Sequence, residues 1–512
     1  DGLRSKGIWE PNAGRYQNPG KDLPQDFEDK RQEYYKSLKL PLRADTLIRS
    51  VQHEMKTCLE ELDETILSNS KVRFSQTGKI IVTPLKAEPA PPNLESLGEE
   101  LERRWSMTKL IDVLKETDFR TGFTRCFKSI ATREVLDRKT IQRRLLVCFN
   151  AVGTNMGLKR GCAGESLSSL QHIMRRFVTA DSARDAIRVV ANDTFRVRQP
   201  DIWGEGTTAC AADSKQFGSW DQNLMTEWHA RYGGRGVMIY WHVERKSTCI
   251  YSQLKTCSSS EVASMLEGVL RHCTSMSVEK AYTDTHGKSE IGFAFCCLLG
   301  DFELLPRIKG IKKQKLYRPE VGNPQAFENL QPVLTRPINW EIIRQQYDEM
   351  VKLAAAIKCG TADAESILRR FTSDSPQHPT YTALLELGRA KKTIFLCRYL
   401  KSEELRREIH QGLNVIEHWN SVNGFIHFAK MGEFASNDLA TQELSMLALH
   451  LLQNCMVYIN TLMLQEILAE KAWADRLTPE DLRGLNPLAH RHINPFGDMS
   501  IDMNTRIALK AA

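Results

Sequence analysis

No run of 18 apolar residues occurs in this 512-residue chain; the longest uninterrupted one is Phe293–Leu299. A bilayer-spanning helix needs about 20 such residues, so none is expected. The sequence begins at Asp1 without an apolar signal region, which predicts a processed product or a fragment and gives secretion no support. The thirteen cysteines include no CxxC pair. That spacing excludes a zinc finger and a disulfide framework, and points to reduced core thiols in a cytosol. His490 and His492 have no partners at zinc spacing and read as loop histidines. A phosphate-binding loop is also missing: Gly287-Lys-Ser ends like one, but Tyr282 stands where the motif needs glycine. There is no internal repeat.

What is present is ordinary in bulk and uneven in detail. Hydrophobic residues make up 41% and charged residues 26%, as in globular proteins of three or four domains. The net charge of +7 is concentrated: residues 101–200 carry +10, against −2 before them and −1 after. Such a local excess suits either an acidic partner, nucleic acid first, or a solvated basic face.

Residues 1–40 read as an extended arm, and Leu47, Ile48, Val51, Met55, Leu59, Leu62 and Ile66 have helical spacing. A short strand is expected at 79–83, and the Pro-rich run from Glu88 to Asn93 marks a boundary. Helical patterns fill 96–198, with basic pairs at Arg103-Arg104, Arg143-Arg144, Lys159-Arg160 and Arg175-Arg176 and a Gly-rich loop near 153–164. From Trp203 the texture changes. Strands are expected at 205–213, 235–243, 248–255, 279–284 and 302–307. Helices are expected from a Ser258/Glu261 capping box to about Cys273, and over 289–299. Helices dominate 339–470, and the last of them, 437–470, is apolar on most faces and should be buried.

The order β-β-β-α-β-α-β outlines a ribonuclease-H-like core, an α/β fold whose first and fourth strands each bring an Asp to one place. Asp213 and Asp284 occupy those positions. Three clustered carboxylates would repel unless cations sit between them, and their use is to hold two hard divalent ions ~3.5–4 Å apart for phosphoryl transfer. Oxygen ligands favour Mg²⁺ or Mn²⁺ over zinc. An Asp at a strand end also serves as loop former or helix cap. The third acid stays open among Glu403, Glu404, Glu408, Glu417, Glu433 and Glu443.

Longer motifs narrow this. The run from Leu405 to Phe425, with Ala211–Phe217 (Ala-Ala-Asp-Ser-Lys-Gln-Phe), Tyr282–Gly287 (Tyr-Thr-Asp-Thr-His-Gly), Lys315-Leu-Tyr-Arg-Pro, Gly432-Glu433 and Gln442–Gln453, resembles the Tn-three family of replicative bacterial DDE transposases. The likeness covers most of the chain and is densest over 203–504. It implies catalytic, metal-holding acids at Asp213, Asp284 and Glu433, with Met431-Gly432-Glu433 where relatives often carry Gly-Gly-Glu. Glu443 then reads as the polar edge of a buried helix. The resemblance also implies that the chain is the C-terminal catalytic half of a longer protein.

The expected organisation follows. An arm and linker region spans 1–95 and a basic helical DNA-binding region 96–202. The first part of the core spans 203–335, a helical insertion 336–425, the core's completion with the third acid 426–475, and a tail 476–512. Lys312, Lys313 and Lys315, and Arg406 and Arg407 within a motif, are expected to hold DNA phosphates; Arg389, Lys391 and Lys392 lie in the insertion. His286 could touch a phosphate or carry a proton. The implied activity is Mg²⁺- or Mn²⁺-dependent freeing of 3′-hydroxyls at the transposon's terminal inverted repeats and their joining to target DNA, by a homodimer in the bacterial cytoplasm at the nucleoid, with no membrane. The alternative is a catalytically inactive DNA-binding or assembly remnant of a broken transposon.

Overall fold

The apolar run near the C-terminus forms a 30-residue helix, Leu439–Leu468, buried along nearly its whole length. It is long and apolar enough on average to cross a membrane, yet its apolar window lies wholly inside the protein. Several buried polar residues on it reach backbone or side-chain partners, as burial favours. Gln453 donates to the Trp419 carbonyl, Asn460 to those of Pro487 and Ala489, and Gln465 accepts from the Trp203 indole.

The computed structural model describes residues 23–129, 136–206, 208–223, 225–230, 232–272, 274–284, 289–300, 302–322, 326–369, 378–434, 436–496 and 500–509. The fold is mixed α/β, and the chain divides into two compact units. The first comprises Asp1–Ala87, Ser259–Leu270 and Val278–Leu413; the second Glu88–Ser258, Arg271–Ser277 and Asn414–Ala512.

In the second unit the helices Leu110–Thr121, Arg138–Gly153 and Ala180–Val197 surround the Leu439–Leu468 helix. That helix also packs on an antiparallel sheet. Ala209–Gly218 pairs with Gly234–Glu244 from Cys210↔Glu244 to Gly218↔Gly236, setting Asp213 opposite Trp241. Cys249–Lys255 and the short Glu227–His229 pair with the other edge of Gly234–Glu244. Gly236 is required there, since a Cβ would stand 2.3 Å from the Phe217 carbonyl oxygen. Helix and sheet are joined by polar bonds as well as by burial: His450 Nδ1 lies 2.9 Å from Ser252 Oγ, and Asn454 exchanges two bonds with the backbone of Cys249.

Two boundaries differ from the sequence reading. The first strand does not end at Asp213 but runs five residues further, so the carboxylate sits mid-strand. Ser214, Lys215 and Gln216, beyond the expected end, sit in register with Tyr240, Ile239 and Met238. The helix expected from Ser258 starts at Glu261, with Ser260 Oγ accepting the Ala263 N–H; the Ser258 N–H is taken by Glu227. The C-terminal stretch is anchored too. Ile493–Asn494 pairs in parallel with Thr108–Lys109, Arg506 makes a two-pronged pair with the fully buried Glu116, and the Trp105 indole donates to the Ala508 carbonyl.

In the first unit, helix Ala44–Ile66 buries all seven apolar positions of its helical stripe and packs on helix Pro379–Lys401. Helix Glu290–Leu299 lies on the same helix so closely that a Cβ at Gly388 would stand 1.8 Å from the Glu290 carbonyl oxygen. That helix joins the parallel strands Lys280–Thr283 and Glu303–Pro306. Helices Trp340–Gln345, Tyr347–Cys359 and Ala364–Arg369 and the first residues of Glu403–Ile426 also belong to this unit. None of the described cysteines forms a disulfide, and half of them are buried.

Candidate active site

Asp213, Lys215 and Phe217 alternate along one strand and share a face. The Lys215 ammonium donates to the Asn420 carbonyl and lies 5.5 Å from the Phe217 ring centre. A Cβ on Gly424 would stand 3.7 Å from that nitrogen. Burial pulls the Lys215 pKa down to about 8. Phe217 in turn meets His427 and Phe434 edge-on, at 5.6 and 5.4 Å. The Glu403–Ile426 helix, from Asn414 onward, and the residue after it thus follow the strand in order: Asn420 and Gly424 at Lys215, His427 at Phe217.

This register points to one carboxylate of the helix at the level of Asp213. Glu417, Asn420, Gly424 and His427 recur at three- and four-residue spacing, one helical face. Stepping back two strand residues from Lys215 to Asp213 covers ~7 Å. The same distance takes about four or five helical residues at ~1.5 Å each. From Asn420–Gly424 that step leads to roughly 416–419, where Glu417, exposed to solvent, is the carboxylate.

Glu433, the acid picked by the motif, stands elsewhere in the unit. It follows a turn in which Lys430, Met431 and Gly432 all have left-handed backbones (φ 51°, 56° and 76°). Its side chain lies against Gly218, where a Cβ would meet Glu433 Cγ at 3.6 Å. The Phe434 N–H donates to the Gly218 carbonyl at 2.9 Å, and Asn155 holds the carbonyls of Ala429 and Glu433. Gly218 is five residues beyond Asp213, ~17 Å along the strand. Glu433 is therefore brought to the far end of that strand, not to its carboxylate. Glu443 is paired with Arg184 at 2.8 Å.

In the first unit, Asp284 follows strand Lys280–Thr283 directly. The strand is fixed by Tyr282 and Lys280, which both donate to Glu408 (2.6 and 2.8 Å). Gly412 makes room for the Tyr282 ring, which a Cβ would meet at 2.4 Å. Beside Asp284, the buried Thr283 hydroxyl has no hydrogen-bond partner. His286 and Gly287-Lys288 lie outside the described residues.

The basic residues sort by what they touch. Lys312 and Lys313 form an exposed turn. Lys315 donates to the Gly78 carbonyl at 2.7 Å. Arg406 corrects its expectation: it is buried, with its guanidinium on the carbonyls of Tyr399 and Leu400. It closes the end of the Pro379–Lys401 helix, where carbonyls lack intrahelical partners, and cannot reach a phosphate. Arg407 is held by Glu403 and the Lys86 carbonyl. Arg389 is committed to Glu290 and Glu386, and Lys391 to Glu54. In the second unit Arg143 and Arg144 pair with Glu165, and Arg104 with Glu470; Lys159, Arg160, Arg175 and Arg176 are exposed. His492 lies in the turn before Ile493–Asn494 as expected of a loop histidine, but it is buried and its Nε2 lies 3.0 Å from Asn460 Oδ1.

Among the described residues, no three His, Cys, Asp or Glu side chains are gathered to hold a metal ion. Carboxylates without a cation between them repel. Their donor chemistry, oxygen alone, suits a hard divalent ion.

Comparison with known proteins gives one answer. Residues 112–499 match the family described as the Tn3 transposase DDE domain. The transposase of transposon Tn3926 from Escherichia coli is 30% identical over 81% of this chain and 42% of its own length. The transposase of Tn21, also from Escherichia coli, is 28% identical over 97% of this chain and 50% of its own. The transposase of Tn1546 from Enterococcus faecium is 27% identical over 85% of this chain and 44% of its own. The chain spans about half the length of the curated relatives it matches. It belongs to the Tn3 transposase DDE domain family.

Proposed function

We propose that this chain is the catalytic part of a replicative DNA transposase, with a ribonuclease-H-like core that cuts transposon ends to free 3′-hydroxyls and joins them to target DNA. Asp213 and Asp284 would hold divalent metal, Mg²⁺ or Mn²⁺, with a third carboxylate. For that third acid the strand–helix register supports Glu417, while the motif reading supports Glu433. The Lys215–Asn420 bond, which ties the Asp213 strand to the Glu417 helix, is the observation that supports Glu417. When bound, two such ions activate the attacking oxygen and stabilise the departing one.

The chain's own groups orient and neutralise. The Lys215 ammonium fixes the spacing of strand and helix. Lys312 and Lys313 would meet phosphates without reading sequence. Joining two ends calls for two copies of the protein, and bacterial DNA places the reaction at the nucleoid in the cytoplasm.

Strand transfer of a precleaved end duplex into plasmid DNA tests this reading. Metal-dependent joining that Asp213→Asn and Asp284→Asn abolish, with DNA binding retained, supports it. Salt-sensitive binding with no joining under either metal would favour the inactive remnant.

A further inference from the structure

Exposed tryptophan and tyrosine rings are concentrated in one part of the second unit. Among the described residues, every exposed tryptophan and tyrosine lies between 220 and 232: Trp220 at 41%, Trp228 at 60% and Tyr232 at 47%. Surfaces seldom leave such rings in water without a use. Their supports are well tied. Ser219 bonds Thr226 across the loop that carries Trp220, and the Asn223 N–H donates to the Trp220 carbonyl. The Asn223 side chain donates to the Ser436 carbonyl at 3.0 Å, which sews this loop to the segment that follows Glu433. Trp228 sits in strand Glu227–His229, opposite Arg235. On the turn before Glu433, Met431 is 93% exposed, and the Lys430 ammonium reaches to 4.0 Å from where a Gly157 Cβ would stand, beside the exposed Lys159 and Arg160.

These features favour unpaired DNA bases as the occupant over a duplex. The loops expose Asp221, Glu433 and Asp438, which disfavour a duplex backbone running along them. They offer flat π faces, on which any base can stack for about 1–3 kcal/mol, with Lys430, Lys159 and Arg160 at one side for the phosphates between bases. The surface starts where the Asp213 strand ends, ~17 Å from that carboxylate, the length of about five base steps of 3.4 Å. We infer that Trp220, Trp228 and Tyr232 form a stacking platform for unpaired bases about five nucleotides from the phosphate held at Asp213. This rests on Asp213 being the reacting site.

The test uses the whole chain without metal, so that catalysis is not needed. 2-Aminopurine is placed at the third to seventh nucleotides from a 3′ end, in a single strand and in a fully paired duplex. The expected result is quenching near the fifth position in the single strand. Trp228→Ala should weaken single-strand binding about tenfold, with duplex binding unchanged, and Trp228→Phe should restore it. Equal weakening for both DNAs, or no quenching with wild-type protein, overturns the inference. So does loss of self-association in Trp228→Ala with DNA binding intact, which would assign the surface to a second copy of the chain. Quenching as described, with no joining in the presence of metal, would count against the catalytic reading and leave the platform standing.

Discussion

The Lys215 ammonium donates to the backbone carbonyl of Asn420, binding the strand of Asp213 to the helix of Glu417. A charged hydrogen bond of this kind contributes about 1.5–3 kcal/mol. Its greater effect should be on spacing. Lys215→Met should cost no more than about 3 kcal/mol in urea unfolding. Strand transfer should fall at least about tenfold, because a misplacement of ~1 Å is enough to cost more than that. Equal small losses in both measurements would mean that the lysine only stabilises the fold.

Glycine positions separate close packing from open helix. Gly388→Ala would drive a Cβ into the Glu290 carbonyl and should destabilise the protein by at least about 1–3 kcal/mol. Nothing stands within 4 Å of a Cβ at Gly98, inside helix Leu94–Arg104. Gly98→Ala should therefore stabilise by about 0.5–1 kcal/mol. Thermal or urea unfolding of the two variants reads the opposite signs.

The basic residues should divide under salt titration. Lys312→Ala and Lys313→Ala should each lower the slope of log affinity against log salt by about one, with stability unchanged. Arg406→Ala should leave that slope alone and lose about 1–3 kcal/mol of stability, since it strips buried carbonyls of their donor. A drop in the salt slope for Arg406→Ala would return it to the DNA surface.

Acid should unfold the protein through its buried histidines. Burial holds His427 near pKa 4 and His450 near 3, both below the usual value of 6.5. The unfolded chain takes up their protons first, so the stability they permit is complete above about pH 6.5 and is lost as pH falls toward 4. His427→Gln should flatten the loss over that window, as measured by urea midpoints at successive pH values. An unchanged profile would show that other groups set it.

Much of the fold was legible because its patterns are local. The stripe Leu47–Ile66, the apolar 437–470 run and the βαβ segment ending near 307 follow from periodicity alone. The first strand's length was not, because Ser214–Gln216 are paired through backbone to Gly234–Glu244, a partner that local polarity conceals. Arg406 sits in a family motif and still caps a helix, since burial and the Tyr399 carbonyl are set by tertiary packing. For the third acid, Gly432-Glu433 was the visible signal. The three- and four-residue spacing of Glu417, Asn420, Gly424 and His427 was equally present in the sequence, but only the Lys215 and Phe217 contacts show which strand that face meets.

The most direct measurement compares Glu417→Gln with Glu433→Gln in metal-dependent strand transfer of a precleaved transposon end, with DNA binding followed in parallel. The account predicts that Glu417→Gln abolishes transfer while binding is retained, and that Glu433→Gln keeps transfer within about tenfold of the parent. Transfer by Glu417→Gln at the parent's rate, with Glu433→Gln inactive, would contradict the strand–helix register and return the third carboxylate to the turn beside Gly218.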